Sequence, residues 1–520
     1  MHMNKLSFLI TAFWLSFCAQ VSADDADKRD LTEGLAYRAE LQQSFSHGKT
    51  PLWLNANKHG LSSLKTSNGY ARFRVVRPLA ADSARKWGIG YGADLVGAYN
   101  YTSHVIIHQA YAEGRLWHGT LTVGSKEFPM ELKNNTLSSG SQTLGINARP
   151  VPQVRIALPE YWTLPFGKKW IHFKGHLAYG RFTDDNWQKD FSAGPYKHSK
   201  GVLYHSKAGY LKIGNAQKSP LSLELGLEMA SQFGGKMYIY DSMNRELYYH
   251  NPSNFKAFFN ALIPAGSDDK ESTYKNAEGN VLGSYTLRLN YEKDDWGVSL
   301  YADHFFDDHS AMFFIAKGGY GNGANWDTRS STDFMAYNLR DIMLGAEIKL
   351  KRLPWLNNIV LEYLYTKYQS GPLYHDHTTL VSDQISGRDE YYNHGLYPGW
   401  QHWGQVMGNP LFRSPIYNND HHIEIYNNRF SAVNLGFGGQ PTPQLEYRVL
   451  ATYQNALGTY NAPYKKPEDN YYLLADATYK FTGKLSGWSI RGGLAFDWGY
   501  TLGNNKGFQL TVAKQGLFNR

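Results

Sequence analysis

The sequence predicts an all-β chain, folded as a transmembrane antiparallel β-barrel of about 18 strands, and three observations carry that prediction. Apolar residues recur at every second position in segments roughly ten residues long, longer than the strands of ordinary soluble sheets. Many of those segments begin or end in one of the 26 Phe, 38 Tyr or 14 Trp residues of the 520-residue chain. The N-terminus, finally, has the form of an export signal.

Met1–Lys5 is a short basic start, Leu6–Cys18 is an apolar run, and Val21-Ser22-Ala23 has the small-x-small form of a cleavage site. Residues 1–23 are therefore read as a secretory signal peptide that is removed. The only cysteine, Cys18, leaves with it, so neither disulfides nor cysteine metal sites can stabilise the exported chain. No later segment offers the ~20 consecutive apolar residues of a membrane-spanning helix. Mild net charge, +8 without a block of like charge, gives nucleic-acid binding little support.

The strand pattern is clearest where one face is apolar and the other polar. Ile171, Phe173, Leu177 and Tyr179 alternate with His172, Lys174 and His176; Leu221, Leu223, Leu225, Leu227 and Met229 alternate with Ser222, Glu224 and Glu228. Tyr285–Glu292, Leu344–Leu350, Leu445–Tyr453 and Trp488–Trp498 repeat it. Lipid satisfies no backbone hydrogen bonds, so a sheet in a bilayer closes on itself, apolar outside and polar within. About seventeen or eighteen such segments fit between Gly69 and Phe518, the last carrying Phe508, Leu510, Val512, Gly516 and Phe518 on one face.

Three stretches break the rhythm. Leu31–Ser46 spaces Leu35, Leu41 and Phe45 as a short amphipathic helix would, which makes residues 24–68 a periplasmic extension and residues 69–520 the barrel. Asn251–Ala265 carries Phe255, Phe258, Phe259 and Leu262 at helical spacing and is expected in a loop or folded into the lumen as a plug. Residues 368–428 alternate little and are dense in Tyr, His, Asn, Gly and Pro; their aromatics favour an ordered functional loop.

Within that loop, Gly387–Leu411 (GRDEYYNHGLYPGWQHWGQVMGNPL) resembles the YYNH…GW…GNPL signature of the Wzi family of outer-membrane capsule-assembly proteins. Gly124–Trp162, with its GSKE, LSSG and NARPVP elements, resembles a second region of that family, and Glu362–Pro372 (EYLYTKYQSGP) a third. The three occur in the family's order along nearly the whole exported chain. The resemblance implies an 18-stranded, closed outer-membrane barrel with helical elements at the periplasmic side. It also implies a lectin-like role, holding exported capsular or extracellular polysaccharide on the cell surface, with no catalysis.

A sugar offers C–H faces that stack on rings and hydroxyls that take amide, imidazole or guanidinium partners. The loop supplies Tyr391, Tyr392, Tyr397, Trp400 and Trp403 as stacking surfaces, and Asn393, His394, Gln401, His402 and Asn409 as polar partners. These ten are the candidate polysaccharide-binding residues. The same residues would equally serve a plug whose rings pack the lumen. His375-Asp376-His377, Asp420-His421-His422 and Asp307-Asp308-His309 are weaker metal or catalytic candidates, without a Gly-x-Ser-x-Gly elbow beside them. No cofactor, metal or catalytic residue is assigned. Lumen-facing Arg72, Arg74, Arg288, Arg448 and Arg491, opposite Glu224, Glu228, Glu292, Glu347 and Glu446, would form a charged eyelet or lock a plug. The expected partners are polysaccharide, outer-membrane lipid and the barrel-assembly machinery, for a chain read as a monomer. The alternatives are a porin or uptake channel, which needs an open lumen, and an outer-membrane hydrolase, which needs a converged catalytic set.

Overall fold

The computed structural model describes residues 31–518, except 195, 242, 264–278, most of 308–338, 375–384 and 389. Eighteen strands form one sheet closed on itself. In chain order they are β1 (Ala36–His47), β2 (Ser67–Arg77), β3 (Trp87–Tyr99), β4 (Val105–Leu116), β5 (Gly119–Ser125) and β6 (Gln153–Thr163). Next come β7 (Ile171–Arg181), β8 (Leu203–Gly214), β9 (Leu221–Phe233), β10 (Asn280–Glu292), β11 (Trp296–Asp307) and β12 (Ile342–Leu350). The wall ends with β13 (Asn358–Tyr365), β14 (Phe430–Gly439), β15 (Leu445–Gly458), β16 (Pro463–Lys480), β17 (Trp488–Gly499) and β18 (Asn505–Leu517). Each strand pairs antiparallel with its neighbour in sequence, and β1 closes the ring on β18, with Leu41 opposite Val512 and Phe45 opposite Phe508. No sheet edge is left to meet lipid.

Period-two alternation fixes which side chains face out. Leu41, Phe73, Leu95, Ile107, Ile156, Leu225, Leu287, Leu300, Leu344, Leu361, Leu473, Leu494 and Leu510 are all exposed on the outside, which is an apolar belt for lipid. At the end carrying both termini, Trp117, Trp162, Trp296, Trp355 and Trp488 are exposed, while Phe45, Tyr99 and Trp498 mark the opposite rim. Such girdles sit at the two membrane interfaces, where a ring can be half apolar and half wet. The termini lie at the end of short connections such as 117–118 and 293–295; the long connections 126–152, 182–202, 234–279 and 366–429 emerge at the other end. Short turns are periplasmic in such barrels, so the long loops are extracellular.

Three expectations are corrected. Residues 36–47 are the first barrel strand and not part of an amphipathic helix over 31–46. Tyr37, Ala39, Leu41 and Phe45 alternate with Arg38, Glu40, Gln42 and Ser44, and the flanking edges of β2 and β18 each require a partner. The barrel thus begins at Ala36 and not at residue 69. The helix expected over 251–265 forms at Phe255–Leu262, with Asn254 Oδ1 capping the Ala257 amide at 3.0 Å. Of its two expected places, a loop or the lumen, it takes the loop. It lies against Phe233 and Tyr179, on the outward-facing rows of β9 and β7, and leaves Phe255, Phe259 and Ile263 exposed. Among the described residues the periplasmic connections carry only 3-10 turns (Leu79–Asp82, Gly167–Lys169, Gly483–Leu485); the α-helices, Leu52–Asn55, Asp185–Phe191 and Phe255–Leu262, belong to extracellular loops.

Candidate functional site

Residues 390–428 fold back into the extracellular half of the lumen. They reach from one wall to the other: Gln232 of β9 donates to Gly399 O at 3.0 Å, and Gln454 of β15 to Leu411 O at 2.8 Å. Tyr391, Tyr392, Tyr397, Trp400, Gln401, His402 and Asn409 are buried there, several with no exposed surface at all. The Tyr391 hydroxyl donates to Asp341 at 2.7 Å, and Trp400 Nε1 to Thr143 O at 3.2 Å. Tyr392 donates to Gln142 O and its oxygen accepts the Asn409 amide at 3.1 Å. Asn409 Nδ2 donates to Ser139 Oγ at 3.2 Å and Gly140 O at 3.1 Å, while its Oδ1 accepts Leu411 N at 3.0 Å. Asn251 Nδ2 donates to the Tyr397 hydroxyl at 2.9 Å, and Gln401 Nε2 to Asp184 at 3.0 Å.

The two histidines are neutral structural members. His402 Nε2 accepts the Thr183 amide at 3.3 Å, so its proton is on Nδ1, directed at Arg149 O at 2.9 Å; burial pushes its pKa down. His394 Nδ1 accepts the amides of Leu396 at 3.0 Å and Tyr397 at 3.2 Å, and burial together with the Lys197 charge pushes the ring down to about 3. Asn393 exchanges two hydrogen bonds with the Ile425 backbone, at 2.9 and 3.1 Å.

The three regions that carry the family resemblance meet here. Gly145 N donates to Met407 O at 3.0 Å and Asn147 Nδ2 to Val406 O at 3.0 Å, joining loop 126–152 to loop 390–428. Glu362 of β13 accepts Ser139 N at 2.7 Å and the Tyr301 hydroxyl at 2.7 Å, and Thr366 Oγ1 donates to Asn428 O at 2.8 Å. At Gly408 a side chain would collide with the Tyr392 hydroxyl and Gln142 O, so the backbones can approach only with glycine. The motifs are the interlocking surfaces of a plug. The wall charges hold it too: Arg288 pairs with Glu347 and donates to Leu132 O at 2.9 Å, and Arg448 donates to Thr136 O at 2.7 Å.

Of the five candidate rings only Trp403 keeps open surface. Arg149 stacks over it at 4.3 Å, and its Nε1 donates to Thr183 Oγ1 at 3.3 Å on the extracellular loop 182–202. Burial pushes the Arg149 guanidinium down to about 10. Asn393 and His394 are half-buried. Asp420 is exposed and accepts the Tyr426 hydroxyl at 2.7 Å, and Asp307 accepts the Tyr392 amide at 3.3 Å. His375-Asp376-His377, Asp308 and His309 lie outside the described residues.

A surface that the sequence reading passed over stands above the mouth. His198–Lys200, Lys236–Tyr240 and Glu246–His250 form a three-stranded sheet. Register puts His198, Tyr238 and Tyr248 in one row, with ring centroids at 4.8 and 5.5 Å. The next row is Lys200, Lys236 and His250, all exposed. The opposite face, Ser199 and Met237, is buried against the plug core. The alternation Lys236-x-Tyr238-x-Tyr240 followed by Glu246-x-Tyr248-x-His250 is the signal that could have found it.

No family model and no curated protein matches the chain. Among solved structures it is similar to Wzi, an outer-membrane protein involved in group 1 capsule assembly in Escherichia coli and a carbohydrate-binding β-barrel. That match has a TM-score of 0.54 and 12% identity, and covers 100% of this chain and 90% of that one. It is also similar to OprD of Pseudomonas aeruginosa, at TM-score 0.42 and 10% identity over 94% of this chain and 97% of that one. A third match is OccK1 (OpdK) of the same organism, at TM-score 0.44 and 11% identity over 94% and 100%. The first likeness shows a Wzi-like outer-membrane barrel fold; the other two are weaker and bear on neither fold nor function.

Proposed function

We propose that this chain is an outer-membrane, lectin-like protein that binds exported capsular or extracellular polysaccharide and attaches it to the cell surface during capsule assembly. The observation that carries this reading is the pairing of a plugged lumen with a ring-bearing, cationic platform on the outside. A plug built from the buried Tyr391–Asn409 core obstructs diffusion, which disfavours a porin. In the row His198–Tyr238–Tyr248, where His198 stacks on Tyr238, the exposed Tyr248 offers a ring for sugar C–H groups, and Lys200 and Lys236 beside it favour an acidic chain. Trp403, with Arg149 over one face, is a second contact; Asn393 and His394 flank the plug surface. The seven buried residues of the original ten act by holding the plug that supports these surfaces. Glycan is bound without turnover in this reading; His394 and His402, the two histidines of the plug core, are committed to hydrogen bonds within it.

The test is surface retention of polysaccharide in a deletion strain complemented with variants at matched outer-membrane levels. Tyr238→Ala with Tyr248→Ala, or Trp403→Ala, should leave total polysaccharide unchanged and move it from cells to medium. Trp400→Ala should instead cost the plug about 3–5 kcal/mol, as loss of a buried Trp does, and lower the temperature at which the barrel loses its compact gel mobility. Normal retention in the deletion strain, with reduced uptake of small solutes, would replace this reading with the porin.

A further inference from the structure

Below the plug, the lumen opens toward the periplasm as a cavity of about 500 Å³. Its wall is built from the inward-facing rows of β1, β2 and β15–β18, with Lys58 and His59 of the β1–β2 connection at its inner end. Arg38, Arg72, Arg74, Lys480 and Arg491 line it beside Lys58, against Glu40, Glu127 and Glu446. Asp94 and Asp476, on the inward-facing rows of β3 and β16, pair with Arg72 and Arg491, and Arg448 shares Asp476, so seven cations meet five carboxylates. Arg74 reaches Glu127 only at 3.8 Å. The Lys58 ammonium donates to the amide oxygen of Gln509 at 2.5 Å, and among the described residues no carboxylate forms an ion pair with it. Burial, with Arg491 and Arg448 adding to it and Asp476 and Glu40 opposing, pushes Lys58 down to about 7, so the nearby carboxylates do not offset its desolvation. The rest of the lining is amide and hydroxyl: Gln42, Gln515, Thr478 and Thr511.

We infer that this vestibule is a second glycan site, facing the periplasm, which takes a carboxylate-bearing saccharide with its oxyanion at Lys58 and Arg491. The volume falls within the range of small-molecule sites, roughly 300–1,000 Å³. An enclosed cation held only by a neutral amide gains most from an oxyanion, and guanidinium groups hold carboxylates in pairs of hydrogen bonds. Amides and hydroxyls around it match the hydroxyl groups of a sugar; a simple inorganic anion would leave them unused. The inference rests on the polysaccharide reading and extends it: the protein would hold acidic glycan from both faces of the membrane, with the plug between.

Lys58 reports on its own occupancy. In the full-length protein in detergent micelles, the rate of lysine acetylation at each site can be followed by peptide mass spectrometry, with tetragalacturonate, maltotetraose or inorganic phosphate present. Tetragalacturonate should slow modification of Lys58 at least tenfold, while maltotetraose and phosphate leave it unchanged. Arg491→Gln, or Gln509→Leu if that variant folds poorly, should abolish the protection. The inference is overturned if tetragalacturonate leaves Lys58 as reactive as before, or if phosphate protects it equally. Lys200 and Lys236 in the same spectra keep the two readings apart: protection there without protection at Lys58 sinks the vestibule and leaves the outer platform standing.

Discussion

His394 shows how a side chain suited to sugar binding becomes a structural element. Its ring nitrogen is an acceptor for two amides, and its backbone carbonyl takes the Lys197 ammonium at 2.6 Å. The ring is neutral in the fold, at about 3 against an ordinary 6.5. Between those values the unfolded chain binds the extra proton, so the stability His394 contributes is complete above about pH 6.5 and is lost as pH falls toward 3. The heat-induced gel-mobility transition should therefore fall steadily between pH 6.5 and 4. His394→Asn, which keeps an acceptor at the same place and cannot titrate, should flatten that slope; an unchanged slope would mean that His394 is solvated in the plug. The same logic separates Trp400 from Trp403: the two rings are three positions apart, yet one is sealed and the other is open.

At the scale of elements, the first strand decides where the barrel begins. Its lipid-facing Leu41 and Phe45 are among the more exposed apolar side chains of the molecule, and its inner row supplies Arg38 and Glu40 to the vestibule. Leu41 lies near mid-strand, so Leu41→Arg should cost about 2–4 kcal/mol, as a cation on the lipid face near the bilayer midplane does. Folding yield into phospholipid vesicles, read as the fraction with folded gel mobility, measures this. A periplasmic helix at the same residues would tolerate the change. The helix Phe255–Leu262 makes the complementary point: its helical spacing is the expected one, but two phenylalanines of the wall-facing rows, Phe233 and Phe258, draw it to the outside of the barrel.

At the scale of the molecule, closure and plugging are separate achievements. Hydrogen bonding closes the wall, since each strand edge must be paired in lipid. The plug is closed by the meeting of loops 126–152 and 390–428 on Glu362 and Thr366 of β13 and the start of the loop beyond it. Planar-bilayer recordings of the whole protein should accordingly show no steady ion conductance. Gly408→Ala, which drives those two loops apart, should introduce fluctuating conductance while the barrel itself stays folded. Steady conductance in the unaltered protein would return the porin to the front.

The sequence by itself determined the strand architecture, because a bilayer imposes period two on every segment that crosses it, and that period is local. It also pointed to which segments matter, since three of them resemble, in order, the signature regions of the Wzi family. It did not determine what those residues do. Tyr392, Trp400 and Asn409 have the chemistry of a sugar site, and only the contacts with residues 139–143, more than 240 positions earlier in the chain, show that the plug itself uses it. The reading of residues 31–46 failed for a related reason: the spacing of Leu35, Leu41 and Phe45 fits both a helix and a strand, and the choice falls to partners at opposite ends of the chain, β2 and β18. The tertiary structure alone placed Lys58 among arginines and gathered His198, Tyr238 and Tyr248 into one row. Charge balance and stacking are sums over neighbours, and neighbours across a barrel are not neighbours in sequence.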